Sequence, residues 1–162
     1  MKRVLSACCI AGLAVGTACS DGTSSTAPKI ESPLVGGWIT PREELHPTGS
    51  MNRYLAFAED GTFSYVGNMY GIYGGGDGVL AAYTRITGTY RIEGDRLIAT
   101  ATKEATWDSR YFPKETVRNV NYSFLDQATF KIMGSFLILD YIIYPADAPE
   151  PTTMLLTSVR GD

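Results

Sequence analysis

Two alternating apolar runs meet at a turn in Tyr54-Leu55-Ala56-Phe57-Ala58-Glu59-Asp60-Gly61-Thr62-Phe63-Ser64-Tyr65. Apolar side chains at every second position on both sides of the turn are the period of half-buried β-strands. Glycine readily adopts the positive φ that a tight turn requires, and aspartate can hydrogen-bond its own backbone there. The stretch therefore predicts a β-hairpin.

The same pattern recurs in Gly88-Thr89-Tyr90-Arg91-Ile92-Glu93-Gly94-Asp95-Arg96-Leu97, and further alternating runs follow. The run 136–144 is apolar on both faces apart from Asp140, which predicts a strand covered on both sides. No segment combines a 3.6-residue period with capping signals. Short strands joined by short turns predict an all-β fold, an up-and-down antiparallel β-barrel of roughly eight to ten strands.

The first residues have the pattern of an export signal. Lys2 and Arg3 precede an apolar run to Ala18 that is too short for a permanent membrane-spanning helix. The run ends in Gly16-Thr17-Ala18-Cys19, which resembles the end of a bacterial lipoprotein signal peptide. That resemblance implies a signal peptide at 1–18 and lipidation of Cys19. The alternative is an ordinary cleaved signal in which Cys19 has no role.

A Ser-, Thr-, Gly- and Pro-rich segment follows, so 19–33 is predicted to be the lipidated cysteine with a flexible tether, and 34–162 the barrel domain. In Gram-negative lipoproteins, a serine after the cysteine, here Ser20, goes with sorting to the outer membrane. The expected location is therefore the cell envelope, membrane-anchored, at the outer membrane if the source is Gram-negative.

Cysteine and charge content exclude several function classes. Cys8, Cys9 and Cys19 all precede the predicted domain, which therefore has no disulfide, thiolate nucleophile or cysteine metal site. Removal of 1–18 leaves 12 of the 14 Lys and Arg against 17 Asp and Glu, a net charge of −5. Nucleic acid is thus not an expected partner, because phosphate binding needs clustered cations. Contact with the membrane is expected through the acyl chains alone.

Three motifs together resemble the bacterial lipocalin-like domains of exported lipoproteins, within the calycin group of barrels. They are Gly36-Gly37-Trp38, the stretch from Leu55 to Phe63, and the stretch from Gly88 to Leu97. The resemblance covers roughly 34–160. It implies that Trp38 plugs one end of the barrel and that Arg160, from the last strand, stacks on it, an arrangement favoured by cation–π attraction.

No enzyme, cofactor or metal site is expected. His46 is the sole histidine, so a catalytic triad or a His-rich metal site is excluded unless His46 works alone with carboxylates, and an exposed loop histidine is the preferred interpretation. The glycine-rich run 74–78 lacks the Lys-Ser/Thr of a phosphate-binding loop and is interpreted as a loop near the barrel mouth. Arg85, Arg91 and Asp140 are predicted to face outward, which disfavours a barrel enzyme.

A small hydrophobic or amphipathic ligand bound inside the barrel is the preferred hypothesis. Large and small residues alternate on the predicted inner face, and the candidate lining residues are Leu55, Phe57, Phe63, Tyr65, Tyr90, Ala99, Tyr122 and Phe124. The main alternative is a filled barrel that serves as a structural, interaction or inhibitor module of the envelope. That module would contact a partner protein through the tyrosine-rich loop Met69 to Tyr73.

Overall fold

The computed structural model describes residues 29–45, 49–71, 78–111, 114–145 and 148–159. The predicted signal peptide and Cys19 lie outside the described residues, as do His46, the run 74–77 and Arg160.

The described residues form ten β-strands and no helix. The strands are β1 (Gly36–Ile39), β2 (Glu43–Glu44), β3 (Ser50–Phe57), β4 (Thr62–Tyr70), β5 (Leu80–Glu93), β6 (Arg96–Asp108), β7 (Thr116–Phe124), β8 (Asp126–Met133), β9 (Phe136–Ile143) and β10 (Glu150–Ser158). Within the described ranges there is accordingly no helix of the length and apolarity that a membrane span requires.

Eight of the strands close into a ring. The order β1-β3-β4-β5-β6-β8-β9-β10 returns to β1, with every neighbouring pair antiparallel. Two strands lie outside this ring. The short strand β2 pairs with the first residues of β3, and β7 pairs with β6. The prediction of an all-β, up-and-down antiparallel barrel is confirmed.

The hairpin between β3 and β4 forms where the sequence predicts it. Leu55 lies opposite Tyr65 and Phe57 opposite Phe63. Gly61 has a φ of 80°, and the Asp60 carboxylate accepts a hydrogen bond of 2.9 Å from the Thr62 backbone N–H. The positive φ of Gly61 and the hydrogen bond of the Asp60 side chain to the backbone thus fix the turn. The turn sets the strand register, and this register directs the apolar residues inward.

The turns 58–61, 94–95 and 134–135 share one end of the barrel, called the lower end here, and the half above it is filled by side chains. Trp38 is buried at this end, and its indole N–H donates to the carbonyl of Leu34 over 2.9 Å. Phe57 and Tyr90 pack edge to face with ring centroids 4.9 Å apart. The lower half is therefore a packed core.

Candidate functional site

A cavity of about 360 Å³ opens at the upper end of the barrel. It is lined from six strands and the β7–β8 junction by Arg53, Tyr65, Thr84, Ile86, Phe124, Leu125, Tyr141, Ile142, Ile143 and Met154. A second space of about 350 Å³ adjoins it, because Thr84 lines both and the other members include Gly67, Ala82 and Thr106. The upper half of the barrel is thus less filled than the lower half.

The floor of the cavity is aromatic and aliphatic. The Phe124 ring stacks on Phe63 with a centroid distance of 5.0 Å and contacts Tyr65 at 5.2 Å. Leu125 has a φ of 55°, so the alternation of the strand stops there and both Phe124 and Leu125 are buried. A non-glycine residue in this region is uncommon and costs about 1–2 kcal/mol. The kink therefore contributes two consecutive apolar side chains to the floor.

The pairing of the strands that line the cavity changes at this kink. The pairing of β8 with β9 begins at Asp126 opposite Ile142. Before the kink, β7 is paired with β6, and no second strand partner is found for it among the described residues. Among the described residues, β7 and β9 thus both line the cavity without a β-ladder between them.

One wall of the cavity is polar. Arg53 lies on the inner face of β3, in the same alternation as Leu55 and Phe57, and its Nη1 is 2.8 Å from Oε1 of Glu43. Burial raises the pKa of Tyr65, which the nearby Arg53 guanidinium partly opposes. Burial raises the pKa of Tyr141 as well, again against the effect of Arg53. Both phenols therefore stay protonated near neutral pH and present O–H donors beside a cation.

A buried carboxylate lies next to the cavity. Thr102 is an extra residue in β6, and beyond this bulge Glu104 is opposite the inward-facing Ile86. Arg118 Nη2 donates to Glu104 Oε1 over 2.8 Å, and the Tyr122 hydroxyl donates to Oε2 over 3.1 Å. Burial, followed by the hydrogen bond to Glu104, raises the pKa of Tyr122 to about 12.

The eight candidate lining residues are divided between two regions. Tyr65 and Phe124 line the cavity. Tyr122 stands beside it on β7, 38% exposed and bonded to Glu104. The other five are buried in the packed core nearer the lower end, and they are Leu55, Phe57, Phe63, Tyr90 and Ala99.

The outward orientation predicted for Arg85, Arg91 and Asp140 is confirmed, since all three are exposed. The inward-facing charges Arg53 and Glu104 are not among the residues that the sequence predicts for the site. Arg53 lies two residues before Leu55 in β3, so the alternation of this strand is sufficient to predict that its side chain faces inward. Glu104 gave no such signal, because the bulge at Thr102 reverses the alternation of β6 after Ala101.

A larger depression, of about 610 Å³, lies on the outer face of β1, β3, β4 and β5. Its surface is formed mainly by small and hydroxyl-bearing residues such as Ala56, Ser64 and Thr87. The lining includes no ionisable group except the Tyr54 phenol. The upper cavity, which combines an apolar floor with a guanidinium and two phenols, is the better candidate for a ligand site.

Comparison with known proteins adds no family assignment. A scan against protein-family models gives no match, and a search of curated proteins finds no significantly similar sequence.

Proposed function

We propose that this protein is an envelope-tethered, lipocalin-like lipoprotein that binds a small hydrophobic or amphipathic ligand in the upper cavity. The observation that carries the proposal is the cavity of about 360 Å³, which lies in the size range of small-molecule sites. Its floor of Phe124, Ile86 and Met154 suits an apolar body, and Arg53 with the two phenols suits a polar end.

The role proposed is binding and not catalysis. Arg53 and Glu104 are two charged side chains that turn inward near the cavity, and each is paired with an oppositely charged residue, Glu43 and Arg118 respectively. A general acid or base has to lie within hydrogen-bond reach of the reacting group. The charged groups of the two ion pairs instead contact each other at the cavity edge.

Native mass spectrometry of the gently purified chain tests ligand binding. We expect an adduct of defined mass that is lost on denaturation. Thr84→Trp fills the cavity from a partly exposed position and should abolish the adduct. Thr89→Trp is the matched control, because Thr89 lies on the outer face of the same strand and is exposed. A bare mass, with no uptake from a lipid extract or a panel of hydrophobic dyes, would refute the proposal.

The anchor is tested separately. Incorporation of labelled palmitate and recovery in the membrane fraction should be lost in Cys19→Ala. The variants Cys8→Ala and Cys9→Ala are the controls and should keep both properties. Retention of the label in Cys19→Ala would contradict the proposed lipidation.

An interaction module with no small ligand is the second candidate function. On the outer face of β8, β9 and β10, Met133, Phe136 and Leu155 are each about half exposed. Apolar side chains grouped on a surface are typical of protein contacts. A photo-crosslinking residue at position 155 should then trap one envelope protein in cells, whereas the same residue at position 89 should not.

A further inference from the structure

The cavity is lined by one cationic side chain, Arg53, and the residue that pairs with it lies on the short outer strand β2. Of the ten lining residues, Arg53 is the charged one, and its side chain is 25% exposed. Its ion-pair partner Glu43 belongs to β2, a two-residue strand that is paired with β3 alone. Glu43 lies opposite Met51, on the same face as Arg53, so its carboxylate reaches the mouth from the edge.

In this ion pair, another anion could replace the Glu43 carboxylate on Arg53. The Glu43 side chain is 46% exposed, and exposed pairs of this kind are weak because water and salt screen them. The two residue pairs Glu43–Met51 and Glu44–Ser50 connect β2 to β3. Displacing the Glu43 carboxylate from Arg53 would return it to solvent without opening the barrel ring.

The surroundings of Arg53 favour an anion in that place. Tyr65 and Tyr141 line the same wall and are protonated near neutral pH, and each lies close enough to both Arg53 and Glu43 to be affected by their charges. A guanidinium with its planar fork of donors binds a carboxylate through two parallel hydrogen bonds. The two phenolic O–H groups are additional donors to the same anion.

We propose that Glu43 is a displaceable stand-in for the ligand's own carboxylate, and that the ligand is a compact apolar monocarboxylic acid. The inference rests on the proposed function, since it names the ligand class of that same cavity. In the bound state the ligand carboxylate takes the place of Glu43 on Arg53, and the apolar body lies on Phe124, Ile86 and Met154. The volume of about 360 Å³ suits one fused ring system or a short chain. A single guanidinium matches one negative charge, which disfavours polyphosphates.

Calorimetric titration of the purified full chain with 1-naphthoic acid and with its neutral analogue 1-naphthamide tests the inference. We expect the acid to bind about tenfold more tightly than the amide. Glu43→Gln removes the competing carboxylate and should tighten binding of the acid by about threefold to tenfold, with no change for the amide. Arg53→Met should weaken the acid to the level of the amide.

Glu44→Gln is the matched control. It removes the same charge one residue along β2, but successive side chains of a strand point to opposite faces, so Glu44 is directed away from Met51 and the mouth. Both glutamates are exposed, so neither substitution should affect folding. Equal tightening in Glu43→Gln and Glu44→Gln would reveal only a general charge effect and would overturn the inference.

The remaining outcomes separate the two proposals. If acid and amide bind equally well and Glu43→Gln changes neither, the cavity binds apolar ligands but the carboxylate inference is wrong. If neither compound binds wild type or Glu43→Gln, both the inference and the proposed ligand binding are refuted for compact aromatic molecules.

Discussion

Gly88→Ala should destabilise the barrel strongly, because the glycine lies against the backbone of the neighbouring strand. A Cβ atom built at Gly88 lies 1.9 Å from the Thr100 carbonyl oxygen and 2.8 Å from Cε1 of Phe63. Ordinary contact begins at 3.4 Å, so β5 and β6 would have to separate by 3.4 − 1.9 = 1.5 Å at this point. Because the nearest atom belongs to the backbone and not to a movable side chain, the clash cannot be relieved without moving a strand, which lowers the stability of the barrel.

Overpacking a core typically costs 1–3 kcal/mol, and a clash with backbone places this change at about 3 kcal/mol. For a domain of about 130 residues, an unfolding entropy near 2.1 cal/mol/K per residue converts this to a fall in Tm of roughly 11 °C. Thermal unfolding followed by circular dichroism measures the shift.

Gly67→Ala is the control for Gly88→Ala. Its Cβ would lie 2.9 Å from the hydroxyl of Tyr65, the far end of a side chain that can move. The cost should stay below about 1 kcal/mol. A Tm for Gly88→Ala within about 3 °C of wild type would refute the close approach of β5 and β6 described here.

Three further predictions concern the core and its ionisable groups. Trp38→Phe removes the buried 2.9 Å bond to the Leu34 carbonyl and should lower the free energy of unfolding in urea by about 1–2 kcal/mol; an unchanged urea midpoint would contradict that bond. Leu139→Ala, at a fully buried position, should cost about 3 kcal/mol, and a cost below about 1 would mean that Leu139 is not in the core. Because the pKa of Tyr122 is raised from 10.0 to about 12, the unfolded phenol loses its proton first, and stability should fall as the pH rises from 10 to 12. Tyr122→Phe should lose less stability over this range, and an equal loss would contradict the predicted shift.

The sequence predicts the regular part of the fold correctly because two local signals agree there. In the β3–β4 hairpin, alternation sets which residues point inward, and Asp60-Gly61 sets the turn that fixes the register. The same agreement holds for Gly94 between β5 and β6. Strand pairing across such turns is short-range, so it follows from sequence neighbours alone.

The run from Phe136 to Tyr144 shows where composition alone is insufficient. Its apolar residues on both faces predict a strand covered on both sides, and the inner face, with Leu137 and Leu139, is indeed buried. The outer face is not covered by any described element, since Phe136 is 46% exposed. Hydrophobicity reports that a residue favours burial, but the partner that covers it has to come from the rest of the chain or from another molecule.

The candidate site depends on two irregularities that a strict period of two cannot predict. The bulge at Thr102 moves Glu104 to the inner face, and the left-handed residue Leu125 brings two successive side chains into the cavity. Each shifts the alternation by one residue, which reverses the predicted direction of every side chain that follows until the next irregularity. Leu125 lies where the chain passes from β7, which is paired with β6, to β8, which is paired with β9, whereas the bulge lies within the paired part of β6 and β7. The features that shape the candidate site are therefore the ones that local sequence signals predict least well, whereas Arg53, on the regular strand β3, was predictable from the alternation of Leu55 and Phe57.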